Sequence, residues 1–419
     1  MEACARRYGD CFTVRFPTVS PLVLFSHPQA VKEIFTGDPE KLRAGETRQL
    51  LRPLVGDYSL LLLDGAQHMH HRRFMMPPFH GERMHAYGET MREVTSQAIA
   101  RWPVGHPFPF QPETQAITLH VILRTVFGME EGAELTQLHD HLEELLTLAA
   151  NPLTLIPRFQ CIIGPLTKRP RLLQLRQEVD VMLFAQIDQR RSAGTTGRSD
   201  ALSMLIEARD ESGQAMSAIE LRDELITLLV AGHETTATSL AWTFHRILQR
   251  SDVYEKLRVE LRRVVGSGPV TTHHVSKLDY LDAVIKETQR LTPILWLLGR
   301  QLHEPLRIGG CDLPAETIAA LCIYLTHHRA DLWPDPDQFD PDRFLNKRPN
   351  PYEFFPFGGG ARYCIGAAFA QYQMKIVIAE VLSRVMLHTA PGRTIRVVRR
   401  GIVFAPSTNM PVVCEPLAG

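Results

Sequence analysis

One of the chain's seven cysteines stands where it could bind a metal. Residues 357–366 read Phe-Gly-Gly-Gly-Ala-Arg-Tyr-Cys-Ile-Gly, which puts Cys364 between a glycine-rich loop and an apolar run of helical period, predicting a helix over about 364–385. Free N–H groups and a partial positive charge at a helix N-terminus favour the thiolate, the form of cysteine that ligates metals. Gly358, Gly359, Gly360 and Gly366 carry no Cβ to hold a flat ligand away from the backbone, and Arg362 adds a cation beside it. Two other readings compete. A glycine loop before a helix can cradle phosphate, but a Walker loop needs a Lys after its last glycine and the dinucleotide fingerprint needs another spacing. A cysteine at a helix start can also be purely structural.

A second constellation lies upstream. Ala231-Gly232-His233-Glu234-Thr235-Thr236 falls in the middle of a helix predicted to run about 30 residues, opening with the capping box Ser217-Ala218-Ile219-Glu220 and carrying Leu221, Leu225, Leu228, Leu240 and Phe244 on one stripe. Glycine there costs about 1 kcal/mol relative to alanine, and a threonine hydroxyl can bond back to a carbonyl and distort the ladder. A flat ligand against the missing Cβ and a reactant needing the hydroxyl would explain both, as would a loosely packed helix crossing. Other groups carry weaker signals. His68-Met69-His70-His71-Arg72-Arg73 could be a metal cluster or a solvated polar face. Glu287 and Arg290, three apart, share a helical face as surface ion pairs commonly do.

These residues need a mainly helical frame. From 27 to about 291 apolar residues recur at spacings of three and four. Residues 12–16 and 22–25, bounded by prolines, read as strands, and after Pro293 the chain turns to proline-punctuated loops and short strands. The expected class is mainly α with a minor β part. The absence of a Ser/Gly linker, repeat or low-complexity tract suggests one unit over 1–419.

Composition removes other classes. Lys plus Arg equals Asp plus Glu, 46 against 46, so no global field draws the chain to nucleic acid or an anionic membrane. No stretch reaches the roughly 18 unbroken apolar residues of a membrane span, and the N-terminus lacks a signal-peptide core. Cys4, Cys11, Cys161, Cys311, Cys322, Cys364 and Cys414 contain no C-x-x-C pair, which fits neither a disulfide scaffold nor a zinc finger. A soluble, cytoplasmic protein is expected, with the cysteines other than Cys364 as bystanders.

Together the motifs resemble the cytochrome P-450 family. The F-x-x-G-x-R-x-C-x-G signature is met in full by Phe357, Gly360, Arg362, Cys364 and Gly366, the oxygen-activation segment by residues 231–236, and E-x-x-R by Glu287 and Arg290. Phe339-Asp340-Pro341-Asp342-Arg343-Phe344 follows at the family's distance, and His68 with Arg72 resembles its third helix. The likeness runs from near Tyr8 to near Val413, with the family's proline-rich lead and first helix shortened or absent. It implies the P-450 fold, a helix-rich unit with small sheets and a long central helix over haem b. Cys364 would be the proximal iron ligand, and a thiolate there promotes O–O cleavage of bound dioxygen. Phe357, Gly358, Gly366, Ala231 and Gly232 would flank the haem, while His68, Arg72, Arg300 and Arg362 would hold its propionates. Thr235 and Glu234 would serve dioxygen and proton delivery, and Glu287, Arg290 and Arg343 would form a buried network bracing the cysteine loop.

The resemblance further implies a monooxygenase that hydroxylates or epoxidises a hydrophobic small molecule. By analogy 54–63, Leu228, Leu229, Ala231, 294–298 and 403–406 face the substrate, and they are almost wholly apolar. Terpenoids, fatty acyl chains, steroids and macrolide-like products all remain open. With no room for a fused flavin reductase, electrons would come from a ferredoxin or flavodoxin-type donor and its reductase, docking beside Cys364 on Arg73, Lys347 and Arg348. A peroxide-driven peroxygenase or hydroperoxide isomerase is the alternative within the fold, although such members usually lack the acid-alcohol pair. A non-catalytic haem sensor or carrier would have no use for that pair.

Overall fold

The computed structural model describes residues 1–15, 20–79, 81, 83–149, 169–266, 268–345, 348–392, 394–400 and 403–417. Its helices are α1 (Glu2–Tyr8), α2 (Pro28–Thr36), α3 (Arg52–Val55), α4 (Gly65–Met75), α5 (Arg83–Ile99), α6 (Phe110–Val126), α7 (Ala133–Ala149), α8 (Arg169–Ala193), α9 (Ala201–Glu207), α10 (Ala218–Leu248), α11 (Ser251–Val264), α12 (Thr272–Val275), α13 (Asp279–Leu291), α14 (Ile323–His327) and α15 (Ala367–Arg384). The strands are β1 (Cys11–Val14), β2 (Leu22–Phe25), β3 (Leu42–Arg43), β4 (Pro107–Pro109), β5 (Leu297–Leu302), β6 (Leu306–Ile308), β7 (Cys311–Leu313), β8 (Ile318–Cys322), β9 (Val385–Thr389), β10 (Val397–Arg400), β11 (Val403–Pro406) and β12 (Pro411–Pro416).

The expectation of a mainly α protein holds. α10, 31 residues long, starts where the capping box places it: Ser217 Oγ accepts from the Glu220 amide while Glu220 returns a bond to the Ser217 amide. Such reciprocal capping satisfies two amides that would otherwise lack partners. Leu221, Leu225, Leu240 and Phe244 of this helix are fully buried. It packs on α6, α13 and α15, so it serves as the axle of the helical part.

The largest sheet runs β1-β2-β8-β5-β3. β2 and β8 are parallel, with Phe25 opposite Leu321, although nearly 300 residues separate them in the chain. β5 then runs antiparallel to β8 and sets Arg300 opposite Ala319. Three smaller sheets are β4-β12-β9, β10-β11 and β6-β7. Two boundaries differ from the sequence reading. β1 ends at Val14, and Phe16 lies outside the described residues. β4 went unread because Pro107 and Pro109 flank a single buried Phe108, a pattern tolerated since the strand pairs with β12 alone.

Candidate functional site

The helix after Cys364 begins three residues later than its apolar period suggests. Cys364 donates its amide to the Phe357 carbonyl at 3.1 Å, Gly358 to Phe355 at 2.9 Å and Tyr363 to Gly360 at 3.0 Å, which closes residues 355–364 into a compact loop. α15 starts at Ala367, whose amide reaches back to the Cys364 carbonyl. The thiol is exposed to solvent, yet burial by surrounding protein is the largest influence on it and raises its pKa. Cys364 is thus solvent-accessible although protein surrounds most of it. The helix-start argument for a spontaneous thiolate is therefore corrected: the Gly366 amide and the Arg72 charge pull the pKa down, but desolvation outweighs them. A bound cation would have to displace the proton.

The glycines divide by role. A Cβ on Gly359 would lie 2.4 Å from the Phe35 ring and one on Gly360 2.0 Å from the Phe35 carbonyl, so these two let the loop pack on α2 and do not face a flat ligand. Gly358, at φ +69°, would meet only Leu298 at 3.3 Å and the Arg362 carbonyl at 3.9 Å, and Gly366 would meet nothing within 4 Å. Gly366 thus leaves open space beside Cys364, as a flat cofactor requires.

Around the loop the structure gathers four guanidinium groups. Arg72 of α4 donates to the Tyr363 carbonyl at 2.8 Å, beside the cysteine. Arg362 donates to the carbonyls of Leu60 and Leu63 and to Asp64. Arg300 of β5 is nearly fully buried, and among the described residues its side chain bonds only its neighbour's carbonyl, that of Gly299, at 2.9 Å. The fourth, Arg48, was missed by sequence reasoning. It lies in the turn Glu46–Leu51, and its side chain makes no hydrogen bond among the described residues. Burial lowers the pKa of all four, of Arg300 to about 9 and of Arg362 to about 10, and the like charges of Arg48 and Arg362 depress Arg300 further. His68, buried among them, is pushed down to about 3 by burial and then by Arg362, Arg72, Arg48 and Arg300. Asp64 offsets part of this charge, but it already accepts the amides of Ala44, Gly45 and Glu46. A desolvated, partly buried cluster so under-neutralised is built to receive anionic groups, and the two carboxylates of a haem fit it.

On α10 the burial pattern opens at mid-length. Leu228 and Leu229 are buried, Ala231 is exposed, Gly232, Glu234 and Thr235 are half-buried, and the helix is buried again from Thr236 to His245. Thr235 donates its hydroxyl to the Ala231 carbonyl at 2.6 Å, the back-bond expected of threonine in mid-helix. Gly232 needs a correction. A Cβ there would lie 3.1 Å from Ile122 Cδ1, so its smallness serves the approach of α6, and Ala231 is the residue that faces open space. Glu234 is held by groups that sequence reasoning did not find: Gln115 Nε2 of α6 donates to it at 2.6 Å and the Thr238 hydroxyl at 3.3 Å.

A bracing network reaches the cysteine loop from behind. Glu287 and Arg290 are fully buried and joined by two hydrogen bonds of 2.8 Å, and Arg343 Nε stands 3.4 Å from Glu287. Glu287 also accepts the Asp340 amide, while Arg290 donates to the carbonyls of His327 and Gln338. His327 then accepts the Phe355 amide on Nε2 at 3.0 Å, and Phe355 in turn accepts Gly358. A continuous run of hydrogen bonds therefore links the ion network to the loop through His327. No motif marks that histidine, because its partners lie 28 and 37 residues away.

The remaining sequence candidates separate. His71 is no part of a solvated face: it is buried, with Nδ1 2.8 Å from Glu224. His70 is exposed, 4.0 Å from Asp210. Arg73 pairs with Glu211 on the surface, Arg348 is exposed, and Lys347 and Cys161 lie outside the described residues. Two clefts, of about 360 and 380 Å³, border Arg52 with Arg176 and His70 with Arg209. Neither includes Cys364 or Thr235, so the site is recognised by its chemistry and not by cleft size.

Comparison with known proteins meets this geometry. A cytochrome P450 family model matches residues 1–412. A protein designated cytochrome P450 135B1 in Mycobacterium tuberculosis and Mycobacterium bovis is 39% identical over 414 residues, 97% of this chain and 84% of that protein. One designated cytochrome P450 138 in Mycobacterium tuberculosis is 34% identical over 410 residues, 97% of this chain and 89% of its own. The solved structure of retinoic acid-bound cyanobacterial CYP120A1 matches with a TM-score of 0.88 at 26% identity, across 99% of this chain and 94% of that one. An accessible cysteine in a compact loop, a partly buried cation cluster and a long helix that opens at mid-length thus sit on a known scaffold, and the chain belongs to the cytochrome P450 family, the haem monooxygenases.

Proposed function

We propose that residues 1–419 act as one unit binding haem b, with Cys364 as its iron ligand and Arg48, Arg72, Arg300, Arg362 and His68 around its propionates. The observation that carries this reading is the accessible yet deep thiol of Cys364, with Arg72 bonded to the adjacent Tyr363 carbonyl and a cluster of under-neutralised guanidiniums behind it. Haem held by Cys364 would supply dioxygen activation: with two delivered electrons and two protons, one oxygen atom would enter a substrate C–H or C=C bond and the other would leave as water. Ala231 leaves room on α10, and Thr235 would present its hydroxyl to dioxygen from the next turn. Glu234 holds a proton one residue away, with Gln115 and Thr238 fixing its carboxylate.

The substrate is a hydrophobic small molecule. Half-exposed Ile294, Leu295, Trp296, Leu297 and Phe404 support this, with the Trp296 and Phe404 rings 6.0 Å apart. Retinoic acid, bound in the solved relative, is an apolar polyene of that general kind. Electrons come from a separate ferredoxin or flavodoxin-type donor docking near Arg73 and Arg348. The protein works in the cytoplasm, a reading supported by the free cysteines and by the absence, among the described residues, of any helix long and apolar enough to cross a membrane.

A spectrum tests the ligand. The reduced, carbon-monoxide-bound protein is expected to show the red-shifted Soret band of thiolate-ligated haem, and a globin-like band position would remove Cys364 from the iron. For the distal side, Thr235→Ala is expected to uncouple electron consumption from product, with peroxide released instead. Unchanged coupling would take Thr235 out of the reaction.

A further inference from the structure

Cys11 and Cys311 are 300 positions apart in the chain, yet their sulfurs lie 3.0 Å apart. Each opens a strand, Cys11 that of β1 and Cys311 that of β7, and both side chains are half-buried. No other described cysteine has a cysteine beside it, and neither of these two takes part in the site above. Two thiols in contact need move together by only about 1 Å to reach the ~2.0 Å of a disulfide bond.

We propose that Cys11 and Cys311 form an intramolecular disulfide when the protein meets hydrogen peroxide, and that this bond staples the edge of the main sheet. The step balances in two stages. The Cys311 thiol takes oxygen from one peroxide to give a sulfenic acid and one water. Cys11 sulfur then attacks that sulfenic sulfur, the S–O bond breaks, the Cys11 proton leaves with the hydroxyl as a second water, and the S–S bond forms. Two thiols are oxidised by two electrons in all, and one peroxide is reduced to two waters.

The contact sets the second stage. Cys11 sulfur already touches Cys311 sulfur, so it is the thiol at hand to capture the sulfenic acid. Burial and the neighbouring thiol hold its proton on in the resting state, and that proton is given up as the sulfur attacks. The location gives the bond its effect. β1 is the outermost strand of its sheet and pairs with β2 alone. The β6-β7 hairpin is tied on its other side to α2, where the Gly309 amide donates to Glu33 at 2.7 Å. A disulfide would fasten the edge strand to that anchored hairpin and close a covalent ring through most of the chain. A haem oxygenase is also exposed to peroxide whenever reduced dioxygen escapes unused.

The test uses the purified holoprotein, first reduced and desalted, then treated with stepwise hydrogen peroxide, alkylated and digested without reductant. The expected result is a linked peptide joining Cys11 to Cys311, an intact mass lower by about 2 Da, and a Tm higher by several degrees. Cys11→Ser and Cys311→Ser should each abolish the linked peptide and the Tm rise, with the reduced-CO spectrum unchanged. Separate sulfinic or sulfonic acids on the two residues, both thiols surviving while other sites oxidise, or a linked peptide persisting in Cys11→Ser would each overturn the proposal. None of these outcomes depends on the ligand assignment of Cys364, which the CO spectrum reads separately.

Discussion

Arg48 shows what one side chain contributes when its partner is not protein. It is half-buried, depressed in pKa by desolvation and without a side-chain hydrogen bond among the described residues, whereas Arg362 is tied to two carbonyls and to Asp64. A guanidinium kept in that condition weakens the fold, because desolvation opposes its charge by more than the nearby Asp64 supports it. Its presence makes sense if an anion completes it. Arg48→Leu is therefore expected to move two quantities in opposite directions. The haem-free protein should unfold at the same or higher urea concentration. The loaded protein should surrender haem to an excess of an acceptor globin roughly tenfold faster, since a hydrogen bond to a charged group contributes about 1.5–3 kcal/mol. Lower apoprotein stability with unchanged retention would mean that Arg48 serves the fold. Position 48 could not be found in the sequence, because a lone arginine in a 3-10 turn has no periodic neighbour. His68 and Arg72 could be found, because at spacing of four they resemble the family's third helix, which α4 supplies.

At the scale of elements, the seam between α6 and α10 decides where Gly232 belongs. Alanine there gains about 1 kcal/mol of helix propensity. Against this stands a contact at 3.1 Å with the terminal methyl of Ile122, which a few tenths of an ångström of movement would relieve. Gly232→Ala is thus expected to change stability by less than about 1 kcal/mol and to leave substrate-induced spin-state shifts intact. Gly232→Val should lose about 1–3 kcal/mol by overpacking, and Ile122→Ala in the same chain should recover part of it. If Gly232→Ala instead blocks substrate or haem binding without a stability change, the glycine faces the cavity after all. The same seam marks how far sequence carries. The capping box at Ser217 and the stripe to Phe244 made α10 readable, since both are local signals. Which helix each face meets was not, because period reveals a face but not its partner. α15 was placed three residues early for a related reason: the apolar period continues through Cys364, but its amide is already spent on Phe357. Gln115 and His327, which hold Glu234 and the cysteine loop, sit far away in sequence from what they touch.

Over the whole molecule, buried histidines set the acid limit of stability. Burial lowers His233 and His245 to about 4 and His327 well below its ordinary 6.5. All three are neutral in the fold, and His327 must be, because its Nε2 accepts the Phe355 amide. The sign follows from comparing states. Between pH 6.5 and the lower folded values the unfolded chain binds protons that the native chain refuses, so stability is full above pH 6.5 and falls as pH drops. Buried carboxyls act the other way. Glu224, Glu260 and Glu380 are raised by burial, so in the range just above the usual carboxyl value the native state holds protons the unfolded chain has lost. The net slope of the wild-type protein mixes both, and only a difference isolates one group. His327→Gln keeps an acceptor for Phe355 and removes the titration. Its unfolding free energy, measured by urea at a series of pH values from 7 to 5, should fall less steeply than wild type by up to about 1.4 kcal/mol per pH unit, the value of one proton. Haem should also be retained to lower pH in the variant, since the link from Arg290 through residue 327 to the cysteine loop would no longer be broken by protonation. Parallel stability curves would mean that His327 is charged or unperturbed in the native state, and the hydrogen-bonded run to Gly358 would then have to be redrawn.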